Sequence, residues 1–424
     1  MIKNIKSSKK DNSYLRDSCR LCGSKSLIKS IKMPACPPVD SFKNYEKNDY
    51  PRKKYPMDLF LCKNCGHSQL LFIVDPDILF VDYIYTSSSS PDLQDHFEKY
   101  ASKLKNLRSE IKFRNCLDIG CNDGLFLDEL GKFIDNTIGV DPSIDPSKIA
   151  KNKGHQVYNS YFSEIVASKI KQKYGFIDLI TANNVYSHMD DIRKFSKLVK
   201  ELLSPVGIFV FEVSYLLNMI ENNVIDWIYH EHISHHSIKP LYNFLKDIGL
   251  ELFKVEMINT KGGSIRCYAK HLNKNHRINN EIKNLIEIEN KFGLYEIETY
   301  DKFKSKIDNE LKKSREYLDN LNKNNFKIAA FGASATATVI HSILDLDNVF
   351  TCIIDDNKSR QGLFSPLKKL EITSFEKALD YKITHIFISS WRHSETIIKK
   401  HINQIKSNKI KVIVPLPSFK ILTL

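Results

Sequence analysis

The stretch Asn115 to Asp141 constrains the fold of this chain more than any other, because it reads as strand, glycine turn, helix and strand in immediate succession. Cys116 to Ile119 is the apolar end of a strand and carries one acid, Asp118. Gly120-Cys121-Asn122-Asp123-Gly124 follows, and Leu125 to Phe133 then has the apolar spacing of a helix (Leu125, Phe126, Leu127, Leu130, Phe133). A second apolar strand, Thr137 to Val140, closes on Asp141. Glycines at both ends of a tight strand-to-helix turn let backbone approach a ligand closely. An acid closing the next strand can accept hydrogen bonds from both hydroxyls of a ribose. The spacing differs from the dinucleotide pattern G-x-G-x-x-G.

The α/β alternation continues beyond this unit. Tyr158 to Phe162 reads as the end of a third strand, Phe176 to Ala182 as a fourth, and Val206 to Val213 as a fifth with Glu212 near its end. Asp191 to Leu203 between them is an amphipathic helix. The fourth strand ends in Asn183-Asn184-Val185-Tyr186-Ser187-His188, and open parallel sheets bind ligands outside the carboxyl ends of their strands. His188 is therefore placed for chemistry. The run L-D-I-G-C-N-D-G resembles the first motif of class I S-adenosylmethionine (SAM) methyltransferases. That resemblance implies SAM as cofactor, with Asp118, Gly120, Asn122 and Gly124 in its loop, Asp141 on the ribose, and Asn183 and Asn184 at the strand end beside it.

Ahead of this region lie two copies of one device, Cys19-Arg20-Leu21-Cys22-Gly23 and Cys62-Lys63-Asn64-Cys65-Gly66. Four thiolates in two such knuckles satisfy tetrahedral zinc without an open position, which is the mark of a structural site. The gap between the pairs holds a proline-rich loop (Pro34, Pro37, Pro38). Cys36 within it reads as a spectator, and His67 as a neighbour of the second knuckle rather than a fifth ligand. Two paired knuckles among nine cysteines favour a reducing compartment over disulfides, so a cytoplasmic location is expected. The N-terminal residues are basic and polar without an apolar core, and no apolar run reaches membrane-spanning length, so neither a signal peptide nor a membrane partner is expected.

The formal charge of +13 comes mainly from lysines spread along the chain. No segment interleaves arginine with aromatic residues, so solvated faces are a better reading than a nucleic-acid groove. A mild positive field also suits an anionic substrate such as a nucleotide diphosphate.

Three further segments carry chemistry. Ile78 to Ser88 reads as a β-edge and surface loop, with Tyr83 and Tyr85 at strand spacing, and Asp92 to Ser109 as a helix. Asp226-Trp227-Ile228-Tyr229-His230-Glu231-His232, with His235 and His236 close behind, is the densest cluster. It is either a second metal site or a set of acid–base groups in which Glu231 tunes a histidine; the H-E-x-x-H spacing of helical zinc sites is absent. Gly262-Gly263-Ser264-Ile265-Arg266 is either a hairpin turn or a loop offering amides and Arg266 to an anion. Arg277 to Asn325 reads as one or two long helices bridging domains. Lys327 to Asp356 repeats a strand–turn–helix–strand unit with only one glycine, Gly332, in its turn, and Ile383 to Ser389 and Ile410 to Val414 complete a small parallel sheet.

Taken together these features resemble the sugar C-methyltransferases, which methylate carbon on nucleotide-linked deoxyketosugars. Tyr83-Ile84-Tyr85 with Ser87-Ser88, Asn184 to His188, Ile228 to His232 and Gly262 to Arg266 are similar to that family's segments. The resemblance implies a class I SAM methyltransferase domain (residues 76–275) flanked by a zinc-binding module (1–75) and, after a helical linker (276–325), a second, Rossmann-like domain (326–424). It implies His232 as the base, with Tyr229, Glu231, His188 and Tyr83 or Tyr85 around the sugar. The expected partner is a nucleotide diphosphate sugar, with no nucleic acid and no membrane, and the chain is expected to be a monomer or weak dimer. The chain departs from the family at Thr336 and Ala337 and at Leu367-Lys368-Lys369. A sugar O-methyltransferase of surface-polysaccharide biosynthesis is the alternative within the class, and a basic zinc-containing nucleic-acid-binding protein the alternative outside it.

Overall fold

The computed structural model describes residues 11–44, 52–81, 86–89, 91–107, 112–273, 278–346 and 348–424. The two cysteine knuckles sit on an antiparallel sheet in the order Ser234–His235, Ser68–Leu70, Leu59–Cys62, Leu27–Ile31. Each knuckle closes on a glycine in the left-handed region. The Gly23 N–H donates to Cys19 O (2.9 Å) and the Gly66 N–H to Cys62 O (2.8 Å), with φ +74° and +80°. One strand of this sheet, Ser234–His235, comes from the segment just past the histidine cluster. The zinc-binding module and that cluster are thus built together.

Seven strands form the central sheet: β1 (Asn115–Ile119), β2 (Asn136–Val140), β3 (Gln156–Tyr158), β4 (Ile177–Asn183), β5 (Leu203–Ser214), β6 (Leu250–Ile258) and β7 (Ser264–His271). Their order is β3-β2-β1-β4-β5-β7-β6, with β1 to β5 parallel and β7 antiparallel to both neighbours. The order reverses beside β1, which opens a crevice at the carboxyl ends of β1 and β4. The covering helices follow from their own chemistry. The Asp191 side chain accepts the Lys194 N–H (3.0 Å) and starts helix Ile192–Leu202, which buries Ile192, Phe195, Leu198, Val199 and Leu202 at helical spacing.

Two helices, Asn280–Phe292 and Ile297–Lys323, lead to a six-stranded sheet in the order Ile372–Thr373, Cys352–Ile354, Ile328–Phe331, His385–Ile388, Lys411–Val414, Lys420–Leu422, parallel except for the last strand. The longer helix spans about 40 Å at 1.5 Å per residue. One hydrophobic cluster runs from Leu59 and Leu61 through Phe209 and Phe211 to Ile353 and Phe387, so the three sheets share a core.

Three local expectations need correction. Ile78 to Phe80 lies in a helix, Pro76–Phe80, rather than on a β-edge, because Asp75 caps it by accepting the Asp77 N–H and Pro76 occupies its first turn. The third strand stops at Tyr158, since Asn159 turns its side-chain amide back to Asp141 O and Ser143 O (both 2.9 Å). The helix of the glycine unit ends at Leu130, before Gly131, rather than at Phe133.

Candidate active site

A cavity of about 550 Å³ opens where the carboxyl ends of β1, β2 and β4 meet the other two sheets. Its floor is the glycine loop. Gly120 has φ +78°, and a Cβ there would lie 2.1 Å from Val185 Cγ2, so the close approach it permits is to the segment after β4. Asn122 also adopts a left-handed conformation (φ +50°). Asp141 fastens the loop: its Oδ2 accepts the Asn122 N–H (2.9 Å) and its Oδ1 the Ser143 N–H (2.8 Å). Gly124, also left-handed, caps the helix that follows.

Two groups at this end of the cavity await a partner. Asp118 is buried and accepts a hydrogen bond from Thr181 Oγ1 (2.6 Å), and burial pushes its carboxyl up to about 7. The amide of Asn183 at the end of β4 has no hydrogen-bond partner at either atom among the described residues. A buried acid and an unpaired buried amide beside a cavity are costly without a ligand. SAM, which carries an ammonium, a sulfonium, a carboxylate and ribose hydroxyls, suits this set of groups. The adjacent Asn184 is left-handed (φ +56°), and its N–H donates to Glu212 O (2.9 Å).

The histidine cluster forms the opposite wall. His232 Nδ1 lies 3.1 Å from Trp227 O, and a carbonyl can only accept, so Nδ1 carries the proton. The Nε2 lone pair is left 3.1 Å from the Tyr229 hydroxyl. Burial, with the nearby Glu231 and Asp40 carboxylates, pushes the Tyr229 hydroxyl well above its ordinary value, which keeps it a neutral donor. The His188 ring stacks on His232 (centroids 5.4 Å) and Phe80 stacks on His188 (5.5 Å), so the two expected histidines share one aromatic stack. Glu231 is buried and lines the same cavity.

The remaining histidines of the cluster have ring nitrogens engaged or buried away from this stack, although His230 also borders the cavity. His230 Nε2 meets Tyr55 O (3.1 Å), while His235 and His236 are buried against the zinc-binding sheet, with His67 beside His236. Burial lowers His230 to about 4 and His235 and His236 to about 3, so all three are neutral near pH 7. Among the described residues the only group of metal-ligating side chains is Cys19, Cys22, Cys62 and Cys65, so the second metal site is set aside. Tyr83 and Tyr85 lie outside the described residues. Arg266 is not available to an anion. Its guanidinium sits in a buried ion pair with Glu212 (2.5 Å) and over the Tyr100 ring (3.4 Å), and the glycines before it form a turn between β6 and β7.

The four cysteine sulfurs lie within 4.8 Å of one another, with Cys19–Cys65 and Cys22–Cys62 each at 3.6 Å. Tetrahedral zinc with Zn–S bonds of about 2.3 Å requires edges of about 3.8 Å, so the cluster fits a closed structural ion.

Sequence reasoning missed the groups that other elements bring to the cavity. Asp40, from the proline-rich loop, faces Arg360 across 3.6 Å, and Ser334 to Thr336, Ser390 and Arg392 complete the far wall. Ser334 to Thr336 are the exception, since their turn reads from the sequence as a nucleotide-binding-like one that is vestigial or holds substrate; position at the carboxyl ends of the C-terminal parallel strands is the signal that could have found Ser390 and Arg392. Nothing in the local sequence marks Asp40.

The sheet order, the glycine loop and the two waiting groups define a class I SAM-dependent methyltransferase. A methyltransferase-domain model matches residues 93–255, a zinc-binding-domain model residues 19–80, and a model described as the C-methyltransferase C-terminal domain residues 259–417. The C-methyltransferase NovU of Streptomyces niveus is 24% identical over 408 residues, covering 96% of this chain and 97% of that protein. A ubiquinone biosynthesis O-methyltransferase of Rhodopseudomonas palustris is 29% identical over 117 residues, 27% of this chain and 44% of that one. A SAM-dependent methyltransferase from Clostridium acetobutylicum overlays 42% of this chain and 92% of its own at a TM-score of 0.34 and 16% identity. The chain is a SAM-dependent methyltransferase, and along nearly its whole length it is similar to a C-methyltransferase.

Proposed function

We propose that this enzyme transfers a methyl group from SAM to a carbon α to the ketone of a nucleotide-linked deoxyketosugar, with His232 as the base that forms the enolate. The observation that carries this reading is the His232 ring, with Nδ1 held by Trp227 O and the Nε2 lone pair beside Tyr229 in the cavity that the glycine loop floors. When bound, SAM supplies an electrophilic methyl, which an sp3 sugar carbon cannot attack. Removing the α-proton makes that carbon nucleophilic, and this needs a neutral base together with donors for the developing oxyanion. His232 Nε2 takes the proton, the Tyr229 hydroxyl or His188 donates to the enolate oxygen, and the imidazolium returns its proton to solvent after transfer. Asp118, Asn122, Asp141 and Asn183 are assigned to the cofactor. Arg360 and Arg392 supply positive charge for a diphosphate at the wall formed by residues 326–424, which we assign to holding the nucleotide.

The reading is tested in heavy water with a panel of nucleotide diphosphate-linked ketosugars and S-adenosylhomocysteine in place of SAM. Wild-type enzyme exchanges the α-proton of its acceptor for deuterium, and His232→Ala loses that exchange by roughly 10²–10⁴-fold while still binding the cofactor. Exchange by His232→Ala at the wild-type rate would move the base elsewhere, with His188 next in line.

A further inference from the structure

The segment that carries His232 is held by three side chains, and two of them follow a strand of the C-terminal sheet. A single helical turn, Ile225–Trp227, precedes it. At its centre Asp226 is fully buried, and its Oδ2 accepts the indole N–H of Trp391 (3.0 Å). Its Oδ1 has no hydrogen-bond partner among the described residues. The next residue, Trp227, donates its own indole N–H to Ser214 Oγ at the end of β5 and has the Arg392 guanidinium over its ring (4.7 Å). Trp391 and Arg392 follow His385–Ile388, at the carboxyl end of the C-terminal parallel sheet. The carbonyl of Trp227 accepts the Nδ1 proton of His232 and so favours the tautomer with a lone pair on Nε2.

We propose that Asp226 and Trp391 form a clamp through which the C-terminal domain sets the tautomer of His232, making both of them positioning residues. The physical reason is the shortage of donors around Asp226. A buried carboxylate with one oxygen without a hydrogen bond depends on the few groups that face it, here the Arg392 charge and the Trp391 N–H from one turn of the C-terminal domain. Removing the Trp391 N–H drives the carboxylate toward water and carries the adjoining Trp227 peptide with it. Once Trp227 O leaves Nδ1, that nitrogen loses this acceptor, and the Tyr229 hydroxyl, which can accept as well as donate, can pair with a proton on Nε2 instead, abolishing the lone pair there. The C-terminal domain would then act on the reaction itself as well as on the nucleotide. The catalytic consequence rests on the assignment of His232 as base; the clamp does not.

The test uses full-length zinc-loaded protein saturated with S-adenosylhomocysteine and labelled with ¹⁵N-histidine, with the His232 signals assigned by their loss in His232→Gln. Wild type should show a protonated Nδ1 and an unprotonated Nε2. Trp391→Phe keeps the ring and loses the donor, and Asp226→Ala loses the acceptor. Both should move the two nitrogens toward the averaged positions of exchanging tautomers, with cofactor affinity by calorimetry within about twofold of wild type, as the clamp does not touch the cofactor end. Asp226→Asn retains an oxygen that accepts from Trp391 and should keep the wild-type tautomer. A merely structural role predicts instead that stability falls while the His232 signals stay in place. Wild-type signals in both Trp391→Phe and Asp226→Ala would overturn the clamp, as would an Asp226→Asn spectrum equal to that of Asp226→Ala. The base assignment is judged separately by deuterium exchange in His232→Ala. Under both readings Trp391→Phe lowers that exchange by roughly 10–100-fold, the scale of a misplaced catalytic group.

Discussion

The central and C-terminal sheets each begin with strand, turn, helix and strand, and each closes the second strand with an acid that accepts two backbone N–H groups. In the central sheet Asp141 takes those of Asn122 (2.9 Å) and Ser143 (2.8 Å); in the C-terminal sheet Asp355 takes those of Ala333 (2.7 Å) and Asn357 (2.8 Å). The acid is therefore a fastener of the turn in both, and by itself says little about a ribose. What separates the two is everything else. The first central strand carries the buried Asp118 and the neighbouring strand ends in the unpaired Asn183, whereas the first C-terminal strand, Ile328–Phe331, is wholly apolar and its turn is filled from within: Arg360 donates to Ala333 O, and Ser390 packs on Gly332. At the turns themselves, a buried acid on the first strand and an unpaired amide at the end of its neighbour, more than the shape of the turn, distinguish the cofactor site from the scaffold built to the same plan.

That contrast can be broken most forcefully at the paired glycines. A Cβ on Gly120 would meet Val185 Cγ2 at 2.1 Å, and one on Gly332 would meet Ser390 Oγ at 2.0 Å, both at positive φ. Each alanine variant should cost roughly 2–5 kcal/mol of stability from strain and overpacking combined. Only Gly120→Ala should also weaken SAM binding, while Gly332→Ala should bind SAM normally and recover part of its stability when combined with Ser390→Gly. Equal losses of SAM affinity in calorimetry would erase the distinction between the sheets.

A smaller effect sharpens it. Asn183→Ala removes an amide that has no partner among the described residues, so the apo thermal midpoint should hold or rise, while SAM binding weakens by about 1–3 kcal/mol. A fall in apo stability with unchanged affinity would show that the amide serves the fold instead.

The smallest effect is in pH. Burial raises Asp118 from 3.8 to about 7, so the folded protein holds a proton that the unfolded chain has lost. Its contribution to stability is fully present below about pH 4 and disappears as pH rises through about 7, with a slope of at most about 1.4 kcal/mol per pH unit. Thermal midpoints of the ligand-free protein between about pH 5 and about pH 7 should therefore decline more steeply in wild type than in Asp118→Asn. Parallel curves would mean that Asp118 does not hold its proton.

Much of this was legible in the residues, for reasons that are local. The four cysteines announce themselves by spacing, and the unit from Asn115 to Asp141 declares its strand, turn and helix within a few turns of chain. The segment Trp227 to His232 could be singled out by density, yet the surroundings of each histidine could not, because His230, His235 and His236 are taken up by elements far away in sequence: Tyr55 and the zinc-binding sheet. Arg266 misled for the same reason. Its partners Glu212 and Glu256 come from strands that meet it only in the folded sheet. Asp40, Arg360 and Trp391 are long-range contributions of that kind, and no periodicity points to them. The helix at Pro76 was a local miss, since the Asp75-Pro76 start signal was there to be read.

The central claim is that the methyl group goes to carbon, by way of an enolate formed at His232. It is tested most directly by incubating the enzyme with SAM carrying a ¹³C-methyl group and the panel of nucleotide diphosphate-linked ketosugars, then tracing the labelled methyl in the product by carbon-correlated NMR. The account predicts a methyl coupled to a sugar carbon that has lost its α-hydrogen, formed by wild type and absent with His232→Ala. A labelled methyl attached through oxygen, formed equally by both proteins, would contradict it.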